Sequence, residues 1–539
     1  MHAVAAPQRR QDLPATLFKG RCPLPELQFT DGECDKSQMD AIRSIKYSVS
    51  AIQGPPGTGK TTTIAQLIAN GIPQLTSLIT CVQNKAIDPI AARLHRENVP
   101  FMVVRKTESM QWDPSALTRG HTLAYMSKRE STMQPHRLSY FQAIVVSVAS
   151  SVRATMASTC YDTPENPPPS ASRWETLNSI LLRKTHEAFL FAARQAYGDA
   201  LAEAESSIIK RTNVFLATAD SAYLVHRLLR VKGINRAIEA IIIDEAGALP
   251  EWKMPILTLM APEAMILFGD QQQLPPFTRM LGNATPTSAL ERIAKALPEG
   301  VQMLRIQYRM PREICELLSK RLYNGQLETS DQLQAHSSLP AICWIDHLNP
   351  ELKDESSTSL YNDEEIELVC NLLETRKYLS PEELWKNAET VAVITFYSAQ
   401  ARRLRDELRD RHKAANVMTV DSAQGCEADY VIISCVRSNT WGAIGHVADT
   451  RRINVALSRA KKQVIVVGDS KTLVRPYAKW HMWHEVKDLA DSLRPRSFFR
   501  MQGGNPDAVL VCRTPESCKK HGRACHFRCW KVLQTAVAE

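Results

Sequence analysis

The chain has 539 residues, with 66 Lys and Arg against 57 Asp and Glu and a net charge of +9; 44% of residues are hydrophobic and 23% charged, which suits a folded chain of about three to four domains and excludes a disordered or fibrous one. No apolar run reaches the ~20 residues that span a bilayer, and the opening MHAVAAPQRRQDLP has arginines but no apolar stretch, so the expectation is an intracellular protein, nuclear or cytoplasmic, that is not secreted and has no membrane partner. Thirteen cysteines, odd in number and mostly scattered singly, argue against a disulfide framework, while the basic charge admits a polyanion partner without requiring one.

Short apolar runs separated by helical patterns recur along the chain. SVSAIQ, SLITCV, NVFLATA, AIIIDEA and AMILFGD come before about residue 290, and TVAVITFY, YVIISCV and KQVIVVGD follow up to about residue 489. This alternation predicts an α/β fold class with parallel sheets flanked by helices. The expected organisation is a lead over 1–34, one domain over 35–300, a second over 301–490 and a basic tail over 491–539. Residues 108–210 break the pattern with the proline- and serine-rich TPENPPPSASR and a long polar helical stretch after it, and read as a subdomain inserted in the first domain.

GPPGTGKT, Gly54 to Thr61, follows the first strand and opens a helix. Its glycines let backbone N–H groups turn towards phosphate, and the helix N-terminus faces the same charge. Lys60 is placed for β- and γ-phosphates and the Thr61 hydroxyl for Mg²⁺. In AIIIDEAGALP, Asp244 and Glu245 stand at the C-terminal end of a buried strand, where open α/β sheets bind their ligands. Asp244 reads as a Mg²⁺ ligand and Glu245 as the group that orients attacking water. These features predict nucleotide hydrolysis; kinases, transporters and motors share them.

Later motifs narrow the field. DKSQMDAI (35–42), ILFGDQQQLPPF (266–277), LRIQYRMPREICELLSKRLYNGQL (304–327), TVDSAQGCEADYVIISCVRSN (419–439) and DTRRINVALSRAKKQVIVVGD (449–469) resemble, in order and spacing, the motifs of superfamily 1 helicases. The resemblance is to the branch containing the nonsense-mediated decay helicase, senataxin and the immunoglobulin mu-binding helicase. It implies two tandem RecA-like domains with ATP between them, and 5′ to 3′ movement on single-stranded RNA or DNA, with RNA metabolism or surveillance as the setting.

It also implies residue roles. Gln38 reads the adenine edge, Gln273 touches the γ-phosphate, Tyr308 packs on the base and Glu427 binds the ribose. Arg309 and Arg459 reach across the cleft as arginine fingers. The nucleotide-binding set is completed by Gly54, Gly57, Thr58, Gly59, Thr62 and Gly425. Asn84, Thr218, Pro275, Thr395 and Arg437 are the strand contacts expected by motif position.

One motif departs from the family: CVQNKAID (81–88) keeps Asn84 and Asp88 where relatives read nearer to APSNVAVD, and Lys85 enters. In the tail, VCRTPESCKKHGRACHFRCW places Cys512, Cys518, His521, Cys525 and Cys529 close enough for a tetrahedral zinc, or else they are reduced thiols in a basic tail. Two other readings stay open, an ATP-gated RNA-binding clamp or scaffold and a DNA helicase of repair or replication.

Overall fold

The computed structural model of the chain describes residues 34–45, 48–104, 126, 202–231, 235–277, 286–296, 300–333, 340–374, 391–411, 415–475, 481–493 and 498–500. Most of the expected insertion and most of the tail expected over 491–539, including all its cysteines, lie outside these residues. Among the described residues, no helix is long and apolar enough to cross a membrane. The chain forms two compact units. One comprises residues 1–67, 242–254 and 264–539, and the other 68–241 and 255–263.

Strands of the first half follow in chain order: β1 Val49–Gln53, β2 Ser77–Cys81, β3 Phe101–Val103, β4 Val214–Thr218, β5 Ala240–Ile243, β6 Ala264–Gly269 and β7 Val301–Met303. In the larger unit β1 lies between β6 and β7, parallel to both, with Gln53 opposite Gly269 and Met303. Strand β7 was expected to belong to the second domain. It pairs instead with β1, so the first sheet reaches past residue 300. In the smaller unit β4 lies between β2 and β3, again parallel, and Cys81 is opposite Thr218. Strands β2, β4, β5 and β6 are buried along their whole length, as expected when both sheet faces are covered.

After these come the short pair β8 Ile306–Gln307 and β9 Glu328–Thr329, then β10 Ile342–Asp346, a second short pair β11 Leu352–Lys353 and β12 Leu360–Tyr361, and β13 Val391–Thr395, β14 Asn416–Thr419, β15 Ala428–Ser434, β16 Ala460–Val467 and β17 Phe498–Arg500. A parallel sheet runs β14–β13–β15–β16–β10–β17 within the larger unit. Parallel neighbours need crossover connections. In the ranges below, the helices over 398–411 and 450–457 supply them after β13 and β15, while a short 3-10 turn at Val420–Ser422 links β14 to β15.

Helices form where capping and periodicity agree. Helix α1 (Lys36–Arg43) starts at Asp35 with a full capping box closed by Gln38. Helix α2 (Lys60–Gln66) follows the phosphate loop. Helix α3 (Ile87–Arg96) buries Ile87, Ile90, Ala91 and Leu94, one face at helical spacing. Later come α4 (Ala222–Val231), α5 (Ala289–Ala296), α6 (Arg312–Leu322), α7 (Asp363–Glu374), α8 (Ser398–Arg411), α9 (Thr450–Leu457) and α10 (Trp483–Ser492). One core cluster of the larger unit is built around Trp344 on β10 and Trp483 on α10. Their rings meet edge to face at 5.9 Å, and each indole N–H donates to a backbone carbonyl, Gly468 and Val447 respectively.

Candidate active site

Strand β1 delivers the phosphate loop. The Gly54 N–H donates to the Gly269 carbonyl at 2.8 Å, tying the loop to the end of β6. Gly57 and Gly59 hold φ of +77° and +75°, the left-handed region that other residues avoid. A Cβ on Gly54 would stand 2.2 Å from Lys60 Cγ, and one on Gly57 would stand 2.7 Å from Arg309 Cβ. The loop therefore has no room for a larger residue at either position. Lys60 Nζ donates to the Gly54 carbonyl at 2.9 Å, and the buried Thr58 hydroxyl donates to Pro55. Thr61 and Thr62 are half-buried at the start of α2, and the N-cap Gly59 offers no side-chain acceptor to the first N–H groups.

Asp244 follows β5 and accepts a hydrogen bond from the Glu245 N–H at 2.8 Å. Burial pushes its carboxyl pKa up to about 7, the Glu245 charge adds to the rise, and Lys60 opposes it. A carboxylate held in that way favours a cation beside it. Its oxygens and the Thr61 hydroxyl are the hard donors that Mg²⁺ takes, the chemistry expected of both residues. Glu245 sits at φ +54°, an uncommon conformation for a non-glycine residue, and Gln424 Nε2 donates to its Oε2 at 3.0 Å.

Motif residues of the two sheets meet at this place. Arg459 is 2% exposed. It donates to Gln273 Oε1 at 3.3 Å and to the carbonyls of Val455 and Cys426, with the Ser458 hydroxyl close by. Burial lowers its pKa to about 10, helped by the charge of Arg309. Arg309 Nε donates to Glu427 Oε2 at 3.0 Å, and Lys461 lies 2.6 Å from the other Glu427 oxygen. Burial alone would raise the Glu427 pKa; Arg309 and Lys461 outweigh it and bring it down. Gly425, at φ +80°, has open space where a Cβ would stand.

Gln38 and Tyr308, the residues expected at the base, both bond to Asp35 and to the phosphate loop. Gln38 Nε2 donates to the Thr58 carbonyl at 3.0 Å, while its Oε1 accepts from the Asp35 N–H. The Tyr308 hydroxyl donates to Asp35 Oδ2 at 3.0 Å, and the Tyr308 N–H donates to the Gly57 carbonyl. Burial and the neighbouring Asp35 raise the Tyr308 pKa.

The expected strand contacts fall in different settings. Asn84 and Thr218, in the smaller unit, stand just past or at the C-terminal ends of the paired strands β2 and β4. Pro275 is half-buried, two residues before the exposed Phe277. Thr395 is wholly buried at the end of β13; the residues after it, Phe396, Tyr397 and Ser398, line a cavity of about 700 Å³ instead. Arg437 lines the same cavity, donating to Glu351 and to the Tyr397 hydroxyl. Arg452, held by Asp421 at 3.3 Å, and His446 also line it together with Lys353, and the His446 and Tyr397 rings stand 4.4 Å apart. The candidate zinc ligands Cys512, Cys518, His521, Cys525 and Cys529 lie outside the described residues.

Sequence reading did not single out Asp270, Gln424, Lys461, Tyr323, Asn454 or His446. The signal open to it was a polar residue inside an apolar stretch: Asn454 stands in INVAL, and Asp270 ends an apolar strand.

Comparison with known proteins bears on the family of the chain. Two family models, each described as an AAA domain, match residues 33–279 and 285–471. The DNA-binding protein SMUBP-2 of Mesocricetus auratus is 28% identical over 84% of this chain and 44% of its own length. The ATP-dependent helicase upf1 of Schizosaccharomyces pombe is 26% identical over 87% of this chain and 48% of its own. The Regulator of nonsense transcripts 1 of Dictyostelium discoideum is 26% identical over 84% of this chain and 32% of its own. The chain thus spans less than half the length of these relatives. Two matched domains and the similarity to these relatives place the chain in the superfamily 1 helicases, in the branch of the nonsense-mediated decay helicase.

Proposed function

We propose that the chain is an ATP-dependent motor on single-stranded nucleic acid, RNA first and DNA second, which hydrolyses ATP with Mg²⁺ and moves 5′ to 3′. The observation that carries this reading is the bonding between the two sheets. Arg459 and Gln424, from the second sheet's side, bond to Gln273 and Glu245 beside the phosphate loop. Turnover at the loop and the position of the second sheet are therefore one mechanical problem.

Lys60 takes the β- and γ-phosphates in place of the Gly54 carbonyl that it now holds. Thr61 and Asp244 hold Mg²⁺, which when bound neutralises charge on the phosphate oxygens. Glu245 orients the attacking water with the carboxylate that Gln424 steadies. Arg459 and Arg309 stabilise the charge that develops in transfer. Gln38 and Tyr308 hold the base, and Glu427 the ribose.

The cavity lined by Arg437, Arg452, Tyr397 and His446 suits a phosphate and a stacked base of the strand. Relatives named for DNA binding and for nonsense transcripts leave both strand types open. The test is ATP turnover with and without single-stranded RNA or DNA, followed by displacement of a duplex with a 5′ overhang. Stimulation by a strand is expected; if neither strand raises the rate, the motor reading fails. Zinc in the tail is a separate part of this reading, checked by metal content of the full chain against a variant with Cys525→Ser and Cys529→Ser.

A further inference from the structure

Five polar side chains are linked in the interior of the larger unit: Asp270, Tyr323 and Asn454 join Gln273 and Arg459, the two already assigned to ATP. Asp270, at the end of β6, accepts from Gln53 Nε2, from the Gln272 N–H and from Gln273 Nε2. The Tyr323 hydroxyl, just past the end of α6, donates to Asp270 Oδ2 at 2.7 Å and accepts from Asn454 Nδ2 at 2.8 Å. Asn454, on α9, also donates to the Gln272 carbonyl at 2.9 Å. The ring closes through Arg459, whose Nη2 reaches Gln273 and whose Nε is held by the carbonyl of Val455, the residue after Asn454.

All the linking groups are buried: Asp270 and Tyr323 are each 2% exposed and Asn454 is fully enclosed. Burying polar groups costs free energy unless every atom is paired, and Asn454 Oδ1 and Gln271 Oε1 have no partner among the described residues. An apolar contact would hold the two sheets together at lower cost. A hydrogen-bonded ring supplies what apolar packing does not, a fixed register with a definite distance at each link.

We infer that Tyr323 is a positioning residue for ATP turnover: its hydroxyl pins α9 to the Asp270 turn and so sets where Arg459 stands beside Gln273. This rests on the reading of the chain as an ATP hydrolase. The Tyr323 ring packs in the core cluster, so Tyr323→Phe keeps the packing and removes only the link. Asp270 retains Gln273, and Asn454 retains Gln272.

The experiment compares the wild-type full chain with Tyr323→Phe, Asn454→Ala and the double variant in steady-state ATPase assays, with and without a single strand, alongside thermal unfolding. The expected result for Tyr323→Phe is a kcat about tenfold lower with KM for ATP within about twofold and an unfolding midpoint within about 2 °C, because a shift of the arginine affects the transition state more than the bound nucleotide. The double variant should lose no more than the worse single, since both act on one link. An unchanged kcat, a loss matched by a fall in unfolding midpoint, or additive losses would overturn the inference. Wild type that turns over ATP without strand stimulation sinks the motor reading alone, and the same comparison then stands on the unstimulated rate. Wild type with no turnover at all sinks both.

Discussion

Arg459 is buried with its hydrogen bonds spent on neutral oxygens, those of Val455, Cys426, Gln273 and Ser458. A guanidinium in that setting gains most when an anion arrives. Arg459→Ala is therefore expected to bind ATP near normally and hydrolyse it roughly 10²-fold or more slowly, read by a nucleotide-binding titration beside turnover. Lys60→Ala should abolish turnover while the chain still binds a strand in a filter or polarisation assay. A second buried charge bears on stability rather than chemistry. His347 lies 2.7 Å from Glu365, both inside the second sheet's fold. Burial pulls the His347 pKa down, but the Glu365 hydrogen bond and charge overcome it and leave the pKa raised. A raised folded-state pKa means that this contribution is full below the unfolded value near 6.5 and is lost as pH rises through the folded one. The unfolding midpoint should fall from pH 6 to pH 8 more in wild type than in His347→Gln, as circular dichroism at the two pH values would show.

At the scale of elements, one side chain in the smaller unit reaches five acceptors. The Arg236 guanidinium donates to the carbonyls of Ile209, Lys210 and Thr212 and to the side chains of Thr76 and Asn213. It thereby joins the helical end at 202–211 to the lead-in of β2. Arg236→Ala should destabilise this unit by about 2–3 kcal/mol, and Arg236→Lys should not restore it, because an ammonium lacks the fork that spans these acceptors. Faster proteolysis near residue 211 is the readout. Elements like these were unevenly legible in the sequence. Strands such as AIII and AMILFG stand out because burial on both faces makes them apolar throughout. Strands β10 (ICWID) and β14 (NVMT) were not read, since each mixes polar with apolar residues over five residues or fewer. The phosphate loop and acidic pair were legible as local spacing. The Tyr323–Asn454 link was not, because it joins positions 131 residues apart that only the sheet topology brings together. Thr395 shows the reverse limit: motif position put it near a nucleic-acid strand, while its side chain is wholly buried at the end of β13.

For the molecule as a whole, the basic balance of +9 and the cavity with Arg437 and Arg452 predict salt-sensitive strand binding. Affinity for a single strand should fall by about tenfold between 50 and 200 mM salt, and Arg437→Ala should flatten that dependence, as a salt series would reveal. The larger unit is discontinuous in the chain, and that has a consequence for how the protein is made. Strand β1, which carries the phosphate loop, gains its parallel neighbours only from β6 and β7, roughly 200 residues or more later. At about 5–20 residues per second, a ribosome takes on the order of 10–40 s to supply the first of them. During that interval the nascent chain exposes an apolar strand with unpaired edges on both sides. Chaperone capture of stalled chains ending before residue 264, relieved in those extending beyond residue 303, is the signature to look for in a truncation series on the ribosome.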